Sequence, residues 1–144
     1  MTKAINFDMD GTIADFYGVE NWLEYLKNGN PYPYETAKPL VNMSVLARYL
    51  NRLQRNGYEI NIISWLAKNS TKEFDEKVTE TKKKWLKKHL SSVNWDKITI
   101  VPYGIDKSTL GYGILFDDEE QNRKMWGDGA YDVTNILGVL KEIA

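Results

Sequence analysis

Ala4-Ile5-Asn6-Phe7-Asp8-Met9-Asp10-Gly11-Thr12 is the stretch on which the fold turns. A short apolar run stops abruptly at two carboxylates, a glycine and a hydroxyl, the pattern of a strand running into a turn. On an extended segment, residues i and i+2 point the same way, so Asp8 and Asp10 can face one pocket. Gly11 permits a tight turn, and exposed amides near it can bind phosphate oxygens.

Downstream, residues from about Ile13 to Pro39 are aromatic-rich and broken by Gly29-Asn30-Pro31 and Pro33, which predicts an insertion with one short helix around Glu20 to Lys27. Val45, Leu46, Tyr49, Leu50 and Leu53 recur at helical spacing, and Gly57 closes that helix. Glu59 to Ile63 reads as a second strand stopping at Ser64. A lysine-rich helix is expected from about Thr71 to His89, then a third strand over Lys97 to Val101. Gly113 to Phe116 is a fourth strand ending in Asp117-Asp118. After a polar loop, Ala130 to Val133 is a fifth, and Ile136 to Ile143 a closing helix. Short apolar strands alternating with helices predict an α/β fold, a Rossmann-like parallel sheet in three layers. One domain over 1–144 is expected, with a small helical cap inserted at about 15–40.

In such sheets ligands bind beyond the carboxyl ends of the strands. The first strand ends in Asp8, the second in Ser64 and the fourth in Asp117, so the reactive groups collect at one end.

Composition narrows the chemistry. With 144 residues the chain can bury a real core. A formal charge of −1 gives no strong signal for nucleic acid or a membrane surface. The absence of cysteine excludes disulfides, thiolate metal sites and a cysteine nucleophile. The first strand starts within a few residues of Met1, leaving no room for a signal segment, and no apolar run is long enough to span a bilayer. A cytoplasmic protein is the expectation.

Phosphate-ester hydrolysis needs what these strand ends offer. A carboxylate can attack phosphorus to form an aspartyl-phosphate, and a second carboxyl can protonate the leaving oxygen and then deprotonate water. A hard cation such as Mg2+ on oxygen ligands offsets the repulsion between carboxylate and phosphate. Fixed donors hold the phosphoryl oxygens. Asp8, Asp10, Asp117 with Asp118, Ser64 and a lysine supply all of these.

Phe7-Asp8-Met9-Asp10-Gly11-Thr12 resembles the first motif of the HAD-superfamily phosphatases, a hydrophobic strand followed by DxDGT. Ile62-Ile63-Ser64 resembles their second motif, Asp106-Lys107-Ser108 the lysine-bearing third, and Leu115-Phe116-Asp117-Asp118 the acidic fourth. The chain is most similar to the 5′-nucleotidase type C family, the 5′(3′)-deoxyribonucleotidases, through Ala14-Asp15-Phe16 after the first motif and the Asp106-Lys107 pair ahead of the fourth. Lys82-Lys83-Lys84-Trp85 resembles that family's Lys-x-x-Trp helix. The resemblance implies Asp8 as nucleophile and Asp10 as general acid/base, with Ser64 and Lys107 binding the phosphoryl group. It implies Mg2+ held by Asp8, Asp10, Asp118 and Asp117, the last two not distinguished as direct ligand and support. It places Phe16 where a nucleobase stacks and Lys82 near substrate phosphate; Trp65, where the family has a second hydroxyl residue, is the remaining substrate contact. The implied partner is a small phosphate ester, foremost a nucleotide, and a homodimer could complete a small cap.

Two departures bear on specificity: the insertion is smaller than the nucleotidase cap, and Ser64-Trp65 replaces a Thr-Ser pair. Another small phosphate ester or a polynucleotide 3′-phosphate end is therefore the alternative substrate. Lys82 to Lys88 also reads as the solvated face of a helix, and Lys82, Lys83 and Lys84 compete with Lys107 for the third-motif role. Most insertion aromatics read as packing, and His89 as a helix-end residue without a partner pattern. A haloacid dehalogenase would lack Asp10. A receiver domain would carry its acidic pair first, whereas here the pair comes last. A non-catalytic phosphate-binding module has the same residues and no turnover.

Overall fold

The computed structural model describes residues 3–144. In chain order the elements are β1 (Lys3–Phe7), β2 (Ala14–Asp15), α1 (Trp22–Lys27), α2 (Tyr32–Thr36), β3 (Lys38–Pro39), α3 (Met43–Arg55), β4 (Tyr58–Trp65), α4 (Lys72–His89), β5 (Lys97–Val101), β6 (Ile114–Phe116), α5 (Glu120–Trp126), β7 (Ala130–Tyr131) and α6 (Ile136–Ile143). Five strands form one sheet in the order β5-β4-β1-β6-β7, every neighbouring pair parallel. This is the Rossmann-like α/β architecture that the alternation of strands and helices predicts.

β1 lies at the centre. The chain first builds outward through β4 and β5 on one side, then crosses back to β6 and β7 on the other. The reversal of order falls beside β1, and the crevice at such a switch point opens beyond the carboxyl ends of the strands. Asp8 stands there.

Alternation along the strands sorts the two faces. Ile5, Phe7, Ile60, Ile62 and Phe116 pack with Leu46, Leu50 and Leu53 of α3, Trp85 and Leu86 of α4, and Ile136 and Leu140 of α6 in one apolar core. The opposite face carries Asn6 and Asn61. There the Asn6 amide donates to the Tyr112 and Ile114 carbonyls at 2.7 and 3.0 Å, and the Asn61 amide to Asn6 Oδ1 at 3.0 Å. These bonds tie the segment leading into β6 under the sheet. Gly113 (φ +87°) is required in it, because a Cβ there would run into the Ala4 carbonyl.

The long helices are well started. The Asn42 side chain accepts from the Val45 amide at the head of α3, and Thr71 accepts from the Phe74 amide at the head of α4. Glu73 and Asp75 in the first turn of α4, and Lys87 and Lys88 in the last, suit the helix dipole.

Five expectations need correction. The insertion contains two short helices, α1 and α2, and is closed at its base by the antiparallel pairing of β2 with β3. Pro31 and Pro33, read as breakers, sit at the start of α2, where a proline ring fits the first turn. The polar loop after Asp118 is the helix α5. β4 runs on through Ser64 to Trp65 because β5 pairs with it up to Val101. β7 is only Ala130–Tyr131, as Asp132 leads instead into a 3₁₀ turn.

Candidate active site

The ladder of β1 continues one bond past the strand, with the Asp8 amide donating to the Phe116 carbonyl at 3.0 Å. The chain then folds tightly, and the Met9 carbonyl accepts from the amides of Thr12, Ile13 and Ala14. Gly11 (φ +81°) is required in this turn: a Cβ would strike the Asp118 carboxylate and crowd the Tyr17 ring. The tips of β1 and β6 are thereby pressed together, and carboxylate oxygens of Asp8, Asp117 and Asp118 lie within 4.8 Å of one another.

Lys107, in a 3₁₀ turn at 107–109, holds this cluster. Its ammonium donates to Asp8 Oδ1 and to Asp117 Oδ2, each at 2.8 Å, and is only 2% exposed. Burial disfavours the Lys107 cation, but the charges of Asp8 and Asp117 outweigh it and hold its pKa above the ordinary lysine range. Burial likewise pushes Asp8 up, yet the charge and hydrogen bond of Lys107 prevail and hold that carboxyl below its usual range. The Thr12 hydroxyl lies 3.0 Å from Asp8 Oδ2 and 3.2 Å from Asp118 Oδ1, and accepts the Asp118 amide. Asp117 is fixed further by the amide of Glu119 and by the Asn122 side chain from α5. Asp118 lacks such support. Burial and the neighbouring Asp8 charge push it up to about 8, and Asp117 to about 6.

Beside this cluster is a second one. Lys82 of α4 is 1% exposed and donates to Ser64 Oγ at 2.6 Å, the Trp65 carbonyl at 2.7 Å and Asp10 Oδ2 at 3.0 Å. Burial, against the opposing charge of Lys82, holds Asp10 above the ordinary aspartate range. Asp10 Oδ1 has no partner among the described residues. One carboxylate on the loop is thus kept charged, and the other is biased toward its proton.

The two clusters open into a cleft of about 540 Å³. Its inner end holds Asp8, Asp10, Lys107, Asp117 and Asp118; its walls come from the insertion and from the loop between β4 and α4. Trp65 lies in the wall with its indole nitrogen donating to the Ile105 carbonyl at 2.9 Å, its ring under the Lys107 ammonium and against Tyr103. Phe16 is 3% exposed and enclosed by Tyr17, Trp22 and Tyr34 at ring distances of 5.1, 5.3 and 4.6 Å. With Tyr34, Phe74 and Val78 it forms a small apolar cluster that seats the insertion on α4.

Asp8, Asp10, Phe16, Trp65, Lys107, Asp117 and Asp118 line this cleft, whereas Lys82 and Ser64 are not in its lining and join it through the hydrogen bond of Lys82 to Asp10. Lys107, rather than Lys82, Lys83 or Lys84, touches Asp8. Lys82 departs from its solvated-face reading, whereas Lys83, Lys84, Lys87 and Lys88 are exposed. The signal was in the spacing: Phe74, Val78, Lys82, Trp85 and Leu86 form one buried stripe, and a lysine on that stripe must find partners inside. Thr12 and Asn122 hold the carboxylates and carried no assignment from the sequence. Asn122 lies five residues beyond Asp117, on a helix the polar composition hid.

The set formed by Asp8, Asp117 and Asp118 fits a hard divalent cation. All its donors are carboxylate oxygens, and the crowding of charge that drives Asp118 up is what a cation would relieve.

No family model matches the chain, and no curated protein matches it in sequence. Among solved structures, the D,D-heptose 1,7-bisphosphate phosphatase from Burkholderia thailandensis superposes with a TM-score of 0.54 over 99% of this chain and 98% of that one, at 10% identity. The HAD domain of effector protein Lem4 from Legionella pneumophila gives a TM-score of 0.42 over 91% of this chain and 84% of that one, at 15% identity. The first likeness is one of fold.

Proposed function

We propose that the protein is a Mg2+-dependent phosphomonoesterase working through an aspartyl-phosphate on Asp8, with nucleoside monophosphates as its favoured substrates. The observation that carries this reading is the division of labour between two carboxyls on one loop. Asp8 is held charged by Lys107 at 2.8 Å, and Asp10, two residues on, is pushed toward its protonated form. A nucleophile and an acid are what the first step needs.

In that step an Asp8 oxygen forms a bond to phosphorus as the ester oxygen departs, and Asp10 gives its proton to the departing oxygen through the unpartnered Oδ1. In the second, the Asp10 carboxylate takes a proton from water, and the water oxygen displaces Asp8 from phosphorus, releasing phosphate. Ser64, whose oxygen accepts from Lys82, helps hold that ammonium against Asp10. Asp8, Asp117 and Asp118 would hold a Mg2+ ion, which when bound would neutralise charge between the carboxylates and the incoming phosphate. The segment between β2 and β3 acts as a small cap over the leaving group.

The test is Mg2+-dependent release of phosphate from p-nitrophenyl phosphate, abolished in Asp8→Asn. Turnover that survives both Asp8→Asn and chelation would remove this mechanism. A flat, slow profile across nucleoside monophosphates, with sugar phosphates faster, would remove the nucleotide preference and leave the phosphatase.

A further inference from the structure

The two walls of the cleft repeat one order of chemistry. On the core side, Lys107 lies at Asp8, its ammonium 5.4 Å from the Trp65 ring centroid. Trp65 is 4.9 Å from Tyr103, and the Tyr103 ring is 5.9 Å from the Lys68 ammonium. On the cap side, Tyr17 stands beside Gly11 and Asp118, and Trp22 meets Tyr17 edge-on at 5.1 Å. From Trp22 the helix α1 runs along the cleft to Lys27, roughly 7.5 Å farther at the usual rise per residue. Each wall therefore passes from the catalytic carboxylates, over two aromatic rings, to a lysine.

The two lysines belong to one cleft. Leu26 and Ala67, the residues just before them, pack on the same apolar cluster, and Lys27 and Lys68 line the same cleft. Every carboxylate in the lining (Asp8, Asp10, Asp117, Asp118, Glu119) belongs to the tips of β1 and β6 or the residue after them. Neither lysine forms an ion pair among the described residues. A cleft that is acidic at one end, aromatic in the middle and cationic at the other is polarised along its length.

We propose that Lys27 and Lys68 form an anion subsite at the outer end, so that among small phosphomonoesters carrying a flat ring, nucleotides included, those with a second anionic group beyond the ring bind tighter. The inner end of this assignment rests on the phosphatase reading above; the outer end does not. The ring slides between the aromatic walls, where Tyr17 at 50% exposure and Tyr103 at 54% offer open faces while Phe16 offers none. The distal anion meets two solvent-exposed cations, an attraction that salt screens.

The experiment compares p-cresyl phosphate with aryl phosphates whose para substituent is a carboxyalkyl chain of one to three carbons. The best acid should show a KM about 3–10-fold lower than the cresyl ester at nearly the same kcat, with the gap shrinking as salt rises. In Lys27→Ala/Lys68→Ala the gap should close while the cresyl ester is turned over as before, and Lys27→Glu/Lys68→Glu should reverse the preference. The same gap should appear in Kd for the matching non-hydrolysable aryl difluoromethylphosphonates, measured by calorimetry. Equal Kd values at every chain length, or a gap that survives the double variant, would overturn the subsite. A lysine-dependent gap in Kd without turnover of any ester would support the subsite and defeat the phosphatase reading instead. A 3′-phosphorylated oligonucleotide beating the best small acid about tenfold in kcat/KM would overturn the small-molecule assignment.

Discussion

The two sides of the cleft are built to different standards. On the core side, side chains rise from strand tips and long capped helices, and the charged groups are closely bonded: Lys107 to two carboxylates, Lys82 to three acceptors. On the cap side, α1 and α2 are six and five residues long, have no side-chain caps, and rely on stacked rings to stay in place. Isolated helices of that length do not persist in water without tertiary contacts. The core side is therefore the more rigid of the two, and under the proposed function it would hold the reacting groups while the cap side shifts to suit a leaving group. Damage to the first should appear in kcat, and damage to the second in KM.

The largest effect expected on this contrast comes from Asp10→Asn. Loss of a positioned acid/base costs about 10²–10⁴ in rate. The loss should be greater for alkyl phosphates, whose leaving oxygen needs the proton, than for p-nitrophenyl phosphate, whose does not. Equal losses on both esters would deny Asp10 the acid role and blur the two sides.

Next is Lys82→Met. Removing the cation leaves Ser64 Oγ, the Trp65 carbonyl and Asp10 without their donor, and breaking a buried charge pair from one side costs about 3–5 kcal/mol. Chemical denaturation of the metal-free protein should show that loss, with kcat falling alongside. A variant as stable as the parent would mean that the buried stripe of α4 tolerates Lys82 rather than depends on it.

The cap is tested by Phe16→Ala. Emptying a buried phenyl site costs about 3–5 kcal/mol in a rigid core. A cluster of four buried residues seated on α4 can collapse, and the cost should fall to about 1–2 kcal/mol of cap docking. KM for nucleotides should rise several-fold while kcat on p-nitrophenyl phosphate changes little. A drop in kcat equal to that of a core-side variant would erase the distinction drawn above.

The same contrast governs what the sequence made legible. β1, α3, β5 and α6 were readable because each has an apolar period and clear punctuation, and the acidic residues at the tips of β1 and β6 follow from the strands that carry them. α2 and α5 were not readable. α2 is a single turn, and its prolines read as breakers although they sit where a helix accepts them. α5 is polar almost throughout and buries only Asn122, so no periodicity marks it. Lys82 was half legible: its neighbours advertise a solvated face, and only its place on the stripe Phe74–Val78–Trp85 argues otherwise. Phe16 illustrates the reverse. Adjacency to the catalytic loop suggests a stacking ring, yet packing by three other rings closes both its faces, which depends on the tertiary arrangement alone.

The smallest effect expected tests the core side without touching a residue. In the metal-free protein, burial and the charge of Asp8 push Asp118 up to about 8 and Asp117 to about 6, against 3.8 for both in an unperturbed chain. Between about pH 4 and pH 8 the folded protein then binds protons that the unfolded chain has already released. Stability must fall as pH rises through that window, since it rises with pH only where the unfolded state binds more protons. Asp8, held below its ordinary value by Lys107, acts in the opposite sense but only below about pH 4. The melting temperature with chelator present should therefore drop by a few degrees between pH 5 and pH 8, the exposed part of Asp118 being screened by solvent. A Mg2+ ion held by these carboxylates would compete with those protons for the same oxygens, so the rise in melting temperature it brings should be larger at pH 8 than at pH 5. Asp118→Asn should make the chelator curve shallower, with Asp117 and Asp10 still contributing, and reduce the Mg2+ gain. A Mg2+ gain independent of pH would mean that the cation sits elsewhere, and the three carboxylates would then owe their arrangement to Lys107, Thr12 and Asn122.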